Sequence, residues 1–309
     1  MTIITDKLLP SNVLKLIELI LEENPMHRRF IHSSLGNITQ EELEYLHAYL
    51  NYCDHNGIDL LYLTQCYHTI VEDTFREQLY FNRNKEYRHK TFSDVANDVY
   101  FNEEYMHRYM YGLALTSFLW PNHVCTTRFF KETLPKKKYG KYLEVGPGHG
   151  YYLMTAIQNS SFDDFIGIDI SEASIKQTQA IIDYFHPDLK NRFQLELTDF
   201  LVADQLEAES FDAIVMGEVL EHVEQPEYFL LRIAELAKSD SYIFISTCIN
   251  APAVDHIYLW RNTDELEEMI RGSGLNIRNH LRLPYEGKSL HESIKGGLAV
   301  NVAYVLEKL

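Results

Sequence analysis

The sequence predicts an α/β fold: a parallel sheet covered on both faces by helices, behind a helical N-terminal region. Three observations predict it. A short apolar stretch at 142–145 runs into Gly146, Gly148 and Gly150, and then into a helical stretch from Tyr151. Beyond it, apolar runs of strand length alternate with helical runs, the mark of βαβ units. Ahead of it, apolar residues recur at helical spacing up to about residue 135.

Taken in order, Ser11 can cap a helix with Val13, Leu14, Ile17 and Leu21 on one side, ending before Pro25. Thr39 and Glu42 have capping-box spacing, Leu43, Leu46 and Leu50 follow on one face, and Asn56-Gly57 stops the helix. Another helix covers 60–75, and the polar stretch 82–90 reads as a loop. Asn102 caps a helix running to Trp120, Pro121 ends it, and a last helix at 122–133 leads into Lys136-Lys137-Lys138 as a linker. The division is therefore 1–135, helical, and 136–309, α/β. In the second part Ser171 caps a helix that ends before Pro187, and Asn262 with Glu265 opens another. A further helix covers 226–237, and strands fall at 192–197, 211–216, 242–247, 275–283 and 299–306.

Composition narrows the function. The chain has 309 residues and a net charge of −17, with one dense basic cluster at the linker, so a phosphate backbone is repelled and nucleic acid is not an expected partner. No apolar run approaches membrane-spanning length, which sets aside a membrane partner, and the N-terminus has no signal-peptide pattern. Cys53, Cys66, Cys125 and Cys248 are scattered without zinc or redox spacing, as reduced thiols of a cytoplasmic protein would be.

The glycine loop carries the chemistry. Glycines there allow sharp turning and close approach to a ligand, and the helix that follows presents its N-terminal amides to it. Asp169 ends the next strand, where a carboxylate can accept both hydroxyls of a ribose. A dinucleotide fingerprint needs a third glycine where this chain has Tyr151. Glu144-x-Gly146-x-Gly148-x-Gly150 instead resembles motif I of the class I S-adenosyl-L-methionine (SAM) methyltransferases, and residues 211–223, ending Gly217-Glu218-Val219-Leu220-Glu221-His222-Val223, look like motif IV of their small-molecule members.

The resemblance covers about 136–309. It implies a Rossmann-like seven-stranded sheet with the last strand antiparallel, and SAM as cofactor. It places Glu144, Gly146, Gly148 and Gly150 around the methionine part, Asp169 on the ribose, Ile170, Asp199 and Phe200 on the adenine, and Glu218 near the sulfonium. Pro147 removes one amide from the loop, and Ser239-Asp240-Ser241 stands where relatives often have a Pro-Gly turn.

Methyl transfer needs an aligned nucleophile, excluded water and, for a hydroxyl or acidic carbon, a base. His222, after the fourth strand, and His256, after the fifth, are the candidate bases; Glu221 either orients His222 or is solvated. His222, His256 and His291, with Asp255 and Glu292 beside two of them, could hold a divalent ion, although no metal ligand is assigned. His107, Tyr109, Tyr111, Trp120 and His123 are candidates for lining an acceptor cleft. The expected activity is methylation of a small molecule at O, N or C. The N-terminal helices would cap the cleft and offer a surface for a homodimer. The alternatives are a protein methyltransferase and a non-enzymatic SAM-binding protein. DNA methylation is disfavoured, since no Pro-Pro-aromatic sequence follows the fourth strand.

Overall fold

The computed structural model describes residues 9–189 and 192–309. Its N-terminal part consists of helices α1 (Ser11–Glu23), α2 (Arg28–Asn37), α3 (Gln40–His55), α4 (Leu60–Asn84), α5 (Phe92–Val95), α6 (Glu103–Leu119) and α7 (Pro121–Thr133). Between α5 and α6 lies one turn of π-helix, Ala96–Tyr100. The capping box at Thr39 and Glu42 forms as expected, and the Asn102 side chain accepts the Tyr105 amide at the head of α6.

Three expectations change. Ser11 is the first helical residue and Pro10 sits at the cap position, which suits a residue with fixed φ and no N–H to satisfy. Helix α4 does not stop at 75 but runs to Asn84, where Lys85 turns left-handed at φ 60°. The helix thus gains more than two turns beyond the expected end, with Glu77 and Phe81 on its buried face, and takes in the first three residues of the predicted loop, 82–84. Pro121 both follows α6 and opens α7 as its first residue, where a missing N–H costs nothing.

The rest of the chain alternates as predicted: β1 (Lys141–Val145), α8 (Tyr151–Asn159), β2 (Asp164–Asp169), α9 (Glu172–Phe185), β3 (Phe193–Leu197), β4 (Phe211–Gly217), α10 (Pro226–Leu236), β5 (Ala237–Ile249), α11 (Thr263–Gly272), β6 (Leu275–Leu283), α12 (Leu290–Gly296) and β7 (Val300–Lys308). The strand order is β3-β2-β1-β4-β5-β7-β6. β7 is antiparallel to both its neighbours, and the ladders joining β1 to β5 are parallel.

Alternation along the central strands splits the core between the two faces. Tyr142, Ala213, Val215 and Phe244 pack with the N-terminal helices and α8. Leu143, Val145, Ile214, Met216, Ile243 and Ile245 pack with α10 and α11. A smaller apolar cluster joins Ile70, Val95, Val99, Met106, Tyr109 and Met110 to Ala173 and Ile257. It lays the segment from α4 to α6 over the carboxyl ends of the strands. The strand order reverses between β1 and β4, which is where α/β sheets place their ligands. Among the described residues no helix is long and apolar enough to cross a membrane, and the four cysteines are free thiols.

Candidate active site

A cavity of about 380 Å³ opens at that switch point. Its floor is the glycine loop. The Gly146 amide donates to the Ile168 carbonyl at 2.7 Å, and the Thr178 hydroxyl donates to the Gly148 carbonyl at 2.8 Å. Gly146 and Gly148 have φ of 69° and 55° and line the cavity. A Cβ on Gly146 would stand 2.7 Å from a Val219 methyl, so a side chain there is excluded on both counts.

Asp169 also lines the cavity. Its Oδ1 accepts the Ser171 amide at 2.9 Å and its Oδ2 accepts the Gly148 amide at 3.2 Å. Burial lifts its carboxyl to about 6 against the opposing pull of these amides. Each oxygen keeps a lone pair for an incoming hydroxyl. Ile170, Asp199 and Phe200 lie along the same wall.

Two predicted cofactor residues stand behind the loop instead of in the cavity lining. Glu144 is buried and accepts the Tyr142 hydroxyl at 2.5 Å. Burial raises it to about 8, opposed by that hydroxyl and by the Leu153 amide at the start of α8. Gly150 caps α8 at φ 78° and packs on Thr178 and Ile181 of α9.

The opposite lip holds the acids and histidines. Glu218, the first residue after β4, is left-handed at φ 52° and lines the cavity. Such a conformation is uncommon outside glycine and clusters at functional sites. Burial raises both Glu218 and Glu221, and the Glu218 charge raises Glu221 further. Glu221 is fully buried and takes the Thr247 hydroxyl at 2.7 Å.

The His222 and His256 rings meet edge to face with centroids 4.8 Å apart. His222 Nδ1–H donates to the Asp255 carbonyl at 3.1 Å, with the Asp255 carboxylate 3.4 Å away. His256 Nδ1–H donates to the Ala251 carbonyl at 2.7 Å. Carbonyl partners at Nδ1 fix the tautomer and leave the lone pair on Nε2 of each ring. Burial lowers His256 to about 4, so it is neutral at pH 7. Asp255, 2 % exposed, also accepts the Tyr109 hydroxyl at 3.1 Å and the Tyr100 hydroxyl at 3.3 Å.

Ligand atoms of His222, Asp255 and His256 lie within 4.8 Å of one another, a set that could hold a divalent ion. His291 does not join them. It is exposed on α12, and its neighbour Glu292 is committed to the capping box at Ser289.

Of the aromatic candidates from the helical region, Tyr109, Trp120 and His123 line the cavity. His107 instead bonds Tyr62 at 2.7 Å, and Tyr111 is core. The sequence reading missed Tyr100, Asp255 as a partner of His222, and His149. His149 sits inside the glycine motif and lines the cavity with its Nδ1 unpartnered.

A glycine-floored cavity at the switch point, with a half-buried carboxylate closing β2, defines a nucleoside-binding α/β enzyme. A family model described as a methyltransferase domain matches residues 123–292, and the chain belongs to that family, the class I SAM-dependent methyltransferases. It is similar to the ubiquinone biosynthesis O-methyltransferase of Neisseria meningitidis serogroup A, 31 % identical over 168 residues, 47 % of this chain and 67 % of that one. It is also similar to the human mitochondrial ubiquinone biosynthesis O-methyltransferase, 33 % identical over 122 residues, 38 % of this chain and 32 % of that one. The match thus spans about a third of the human relative's length. Among solved structures, the geranyl diphosphate C-methyltransferase of Streptomyces coelicolor A3(2), in complex with Mg2+, geranyl diphosphate and S-adenosyl-L-homocysteine, shares the fold. Its TM-score is 0.51 at 12 % identity, over 64 % of this chain and 84 % of that one.

Proposed function

We propose that the chain methylates a hydroxyl of a small organic acceptor, with His222 as the general base. The observation that carries this reading is the histidine pair in the cavity wall, each ring pinned through Nδ1 to a carbonyl and presenting Nε2 as an acceptor. Asp255 holds the His222 tautomer and stabilises the imidazolium that forms when a hydroxyl gives up its proton. His256, neutral at pH 7, orients the acceptor oxygen. The similarity to O-methyltransferases supports the hydroxyl. The cover of α4–α6 over the cavity supports a small acceptor against a protein segment, which needs an open groove.

The residues fit the cofactor. Gly146 and Gly148 leave room for the methionine part, with Glu144 and Gly150 shaping the loop from behind. Asp169 takes the ribose, Ile170, Asp199 and Phe200 take the adenine, and Glu218 faces the sulfonium. SAM supplies an already activated methyl. The chain's own work is to bind, to align and to exclude water, as the buried walls do. On this reading residues 136–309 carry the cofactor and the helices of 1–135 complete the acceptor side.

The test is turnover of hydroxyaryl acceptors with labelled SAM. His222→Gln should lose roughly 10²–10⁴ in rate while S-adenosylhomocysteine affinity stays within about threefold, as expected for a group acting on the acceptor alone. Wild-type turnover in that variant removes His222 as the base.

A further inference from the structure

The charge of the cavity wall is one-sided. Asp73, Asp169, Asp199, Glu218, Glu221 and Asp255 line it, and among the described residues no Lys or Arg does. A guanidinium that pairs with a lining acid is Arg76, which donates to Asp73 at 2.7 Å from a side chain that is 58 % exposed and outside the lining. The histidines at the other end, His123 and His149, are each lowered by burial to about 4 and add no positive charge at pH 7.

Some of this negative charge is spoken for. The Glu218–Glu221 pair retains a proton, since two buried carboxyls side by side do not both ionise readily. Asp73 is matched by Arg76, and the cofactor brings one net positive charge on its sulfonium. Asp169 and Asp199 are taken up by the ribose and the adenine, which leaves Asp255 facing the acceptor side of the cavity. Asp255 satisfies its oxygens with two tyrosine hydroxyls, with His222 3.4 Å away, and no Lys or Arg lines the cavity beside it. The chain as a whole, at −17, adds to the same field at the cavity mouth.

Resting on the methyltransferase reading, we infer that the acceptor is a neutral or cationic hydroxy compound, and that this site rejects acceptors whose bound part carries a carboxylate or phosphate. Desolvating an anion among carboxylates, with no donor cation to receive it, is unfavourable at any plausible dielectric. A neutral ring, by contrast, finds an apolar wall of Ile70, Phe92, Met106, Met110 and Leu113 with the two tyrosine hydroxyls beside it.

The experiment compares methyl 3,4-dihydroxybenzoate with 3,4-dihydroxybenzoate, two acceptors that share the dihydroxyaryl ring and differ in the carboxyl charge and the ester methyl, the salt dependence isolating the charge. Binding to protein loaded with S-adenosylhomocysteine is measured by calorimetry at low salt, in chelator and with added Mg2+. The ester should bind roughly tenfold or more tightly than the acid, with the gap narrowing in high salt. Equal affinities, a preference for the acid in either condition, or binding of neither compound overturns the inference. S-adenosylhomocysteine binding, measured first in the same titrations, separates the two ideas. Its absence strikes the methyltransferase reading, whereas its presence with an indifferent or anion-favouring acceptor site strikes only the charge selection.

Discussion

With Asp169 as the proposed ribose ligand, its ionisation decides how well the cofactor is held. Its carboxyl is raised to about 6 in the free protein, and two ribose hydroxyls donating to it favour the charged form. Protons and cofactor therefore compete. Affinity is complete above that value and is lost as pH falls through about 6. Calorimetry with S-adenosylhomocysteine between pH 5 and 7 should show this slope. Asp169→Asn should bind about a hundredfold more weakly, through the loss of two charge-assisted hydrogen bonds, and should show no slope. A wild-type slope in the variant would assign the titration to another group. Glu144 teaches a different lesson at this scale. Its place two residues before the first glycine is readable, yet it points into the core at Tyr142 and not into the cavity, because alternation along β1 decides which face a strand residue meets.

The segment between α4 and α6 is the element the sequence hid most. Its helical turns are too short for a periodic signal, and the π-helical turn at Ala96–Tyr100 has no compositional mark, although such turns recur at functional sites. Two contacts tie it down: the Phe92 amide donates to the Glu224 carboxylate at 2.8 Å, and Tyr100 reaches Asp255. These partners are separated by 132 and 155 residues, so no local pattern could pair them. The strand–glycine–helix unit was legible for the opposite reason, since everything it needs lies within thirty residues. Glu224→Ala removes the first contact from the acceptor side without touching the cofactor wall. The expected result is faster amide exchange across residues 92–101 and a loss of about fivefold in kcat/KM, the worth of one modest hydrogen bond. S-adenosylhomocysteine affinity should not change. Unaltered exchange would show that apolar packing alone, through Val95 and Val99, holds the segment.

Over the whole molecule, the boundary near residue 135 is clear in the sequence as a change from helical to alternating pattern, but it is not a boundary in the core. Sequence patterns report which face of an element is apolar and not what covers it. Phe130 of α7, fully buried, meets Tyr152 of α8 and Phe244 of β5 with ring centroids 5.0 and 4.9 Å apart. The Thr133 hydroxyl lies 3.0 Å from that of Tyr242, and Leu134, Tyr142 and Phe244 belong to one apolar cluster with α1, α3 and α4. Removing the helices would uncover that face of the sheet. Helices and sheet should therefore unfold together, and a chain beginning at Lys136 should aggregate instead of binding cofactor. Phe130→Ala tests the coupling within the intact chain. Truncating a buried phenylalanine costs about 3–5 kcal/mol. If the core is shared, that cost lowers a single calorimetric transition, seen at the same temperature by helix-sensitive circular dichroism and by loss of S-adenosylhomocysteine binding. Two transitions, with the cofactor-binding one unmoved, would show that residues 136–309 stand alone.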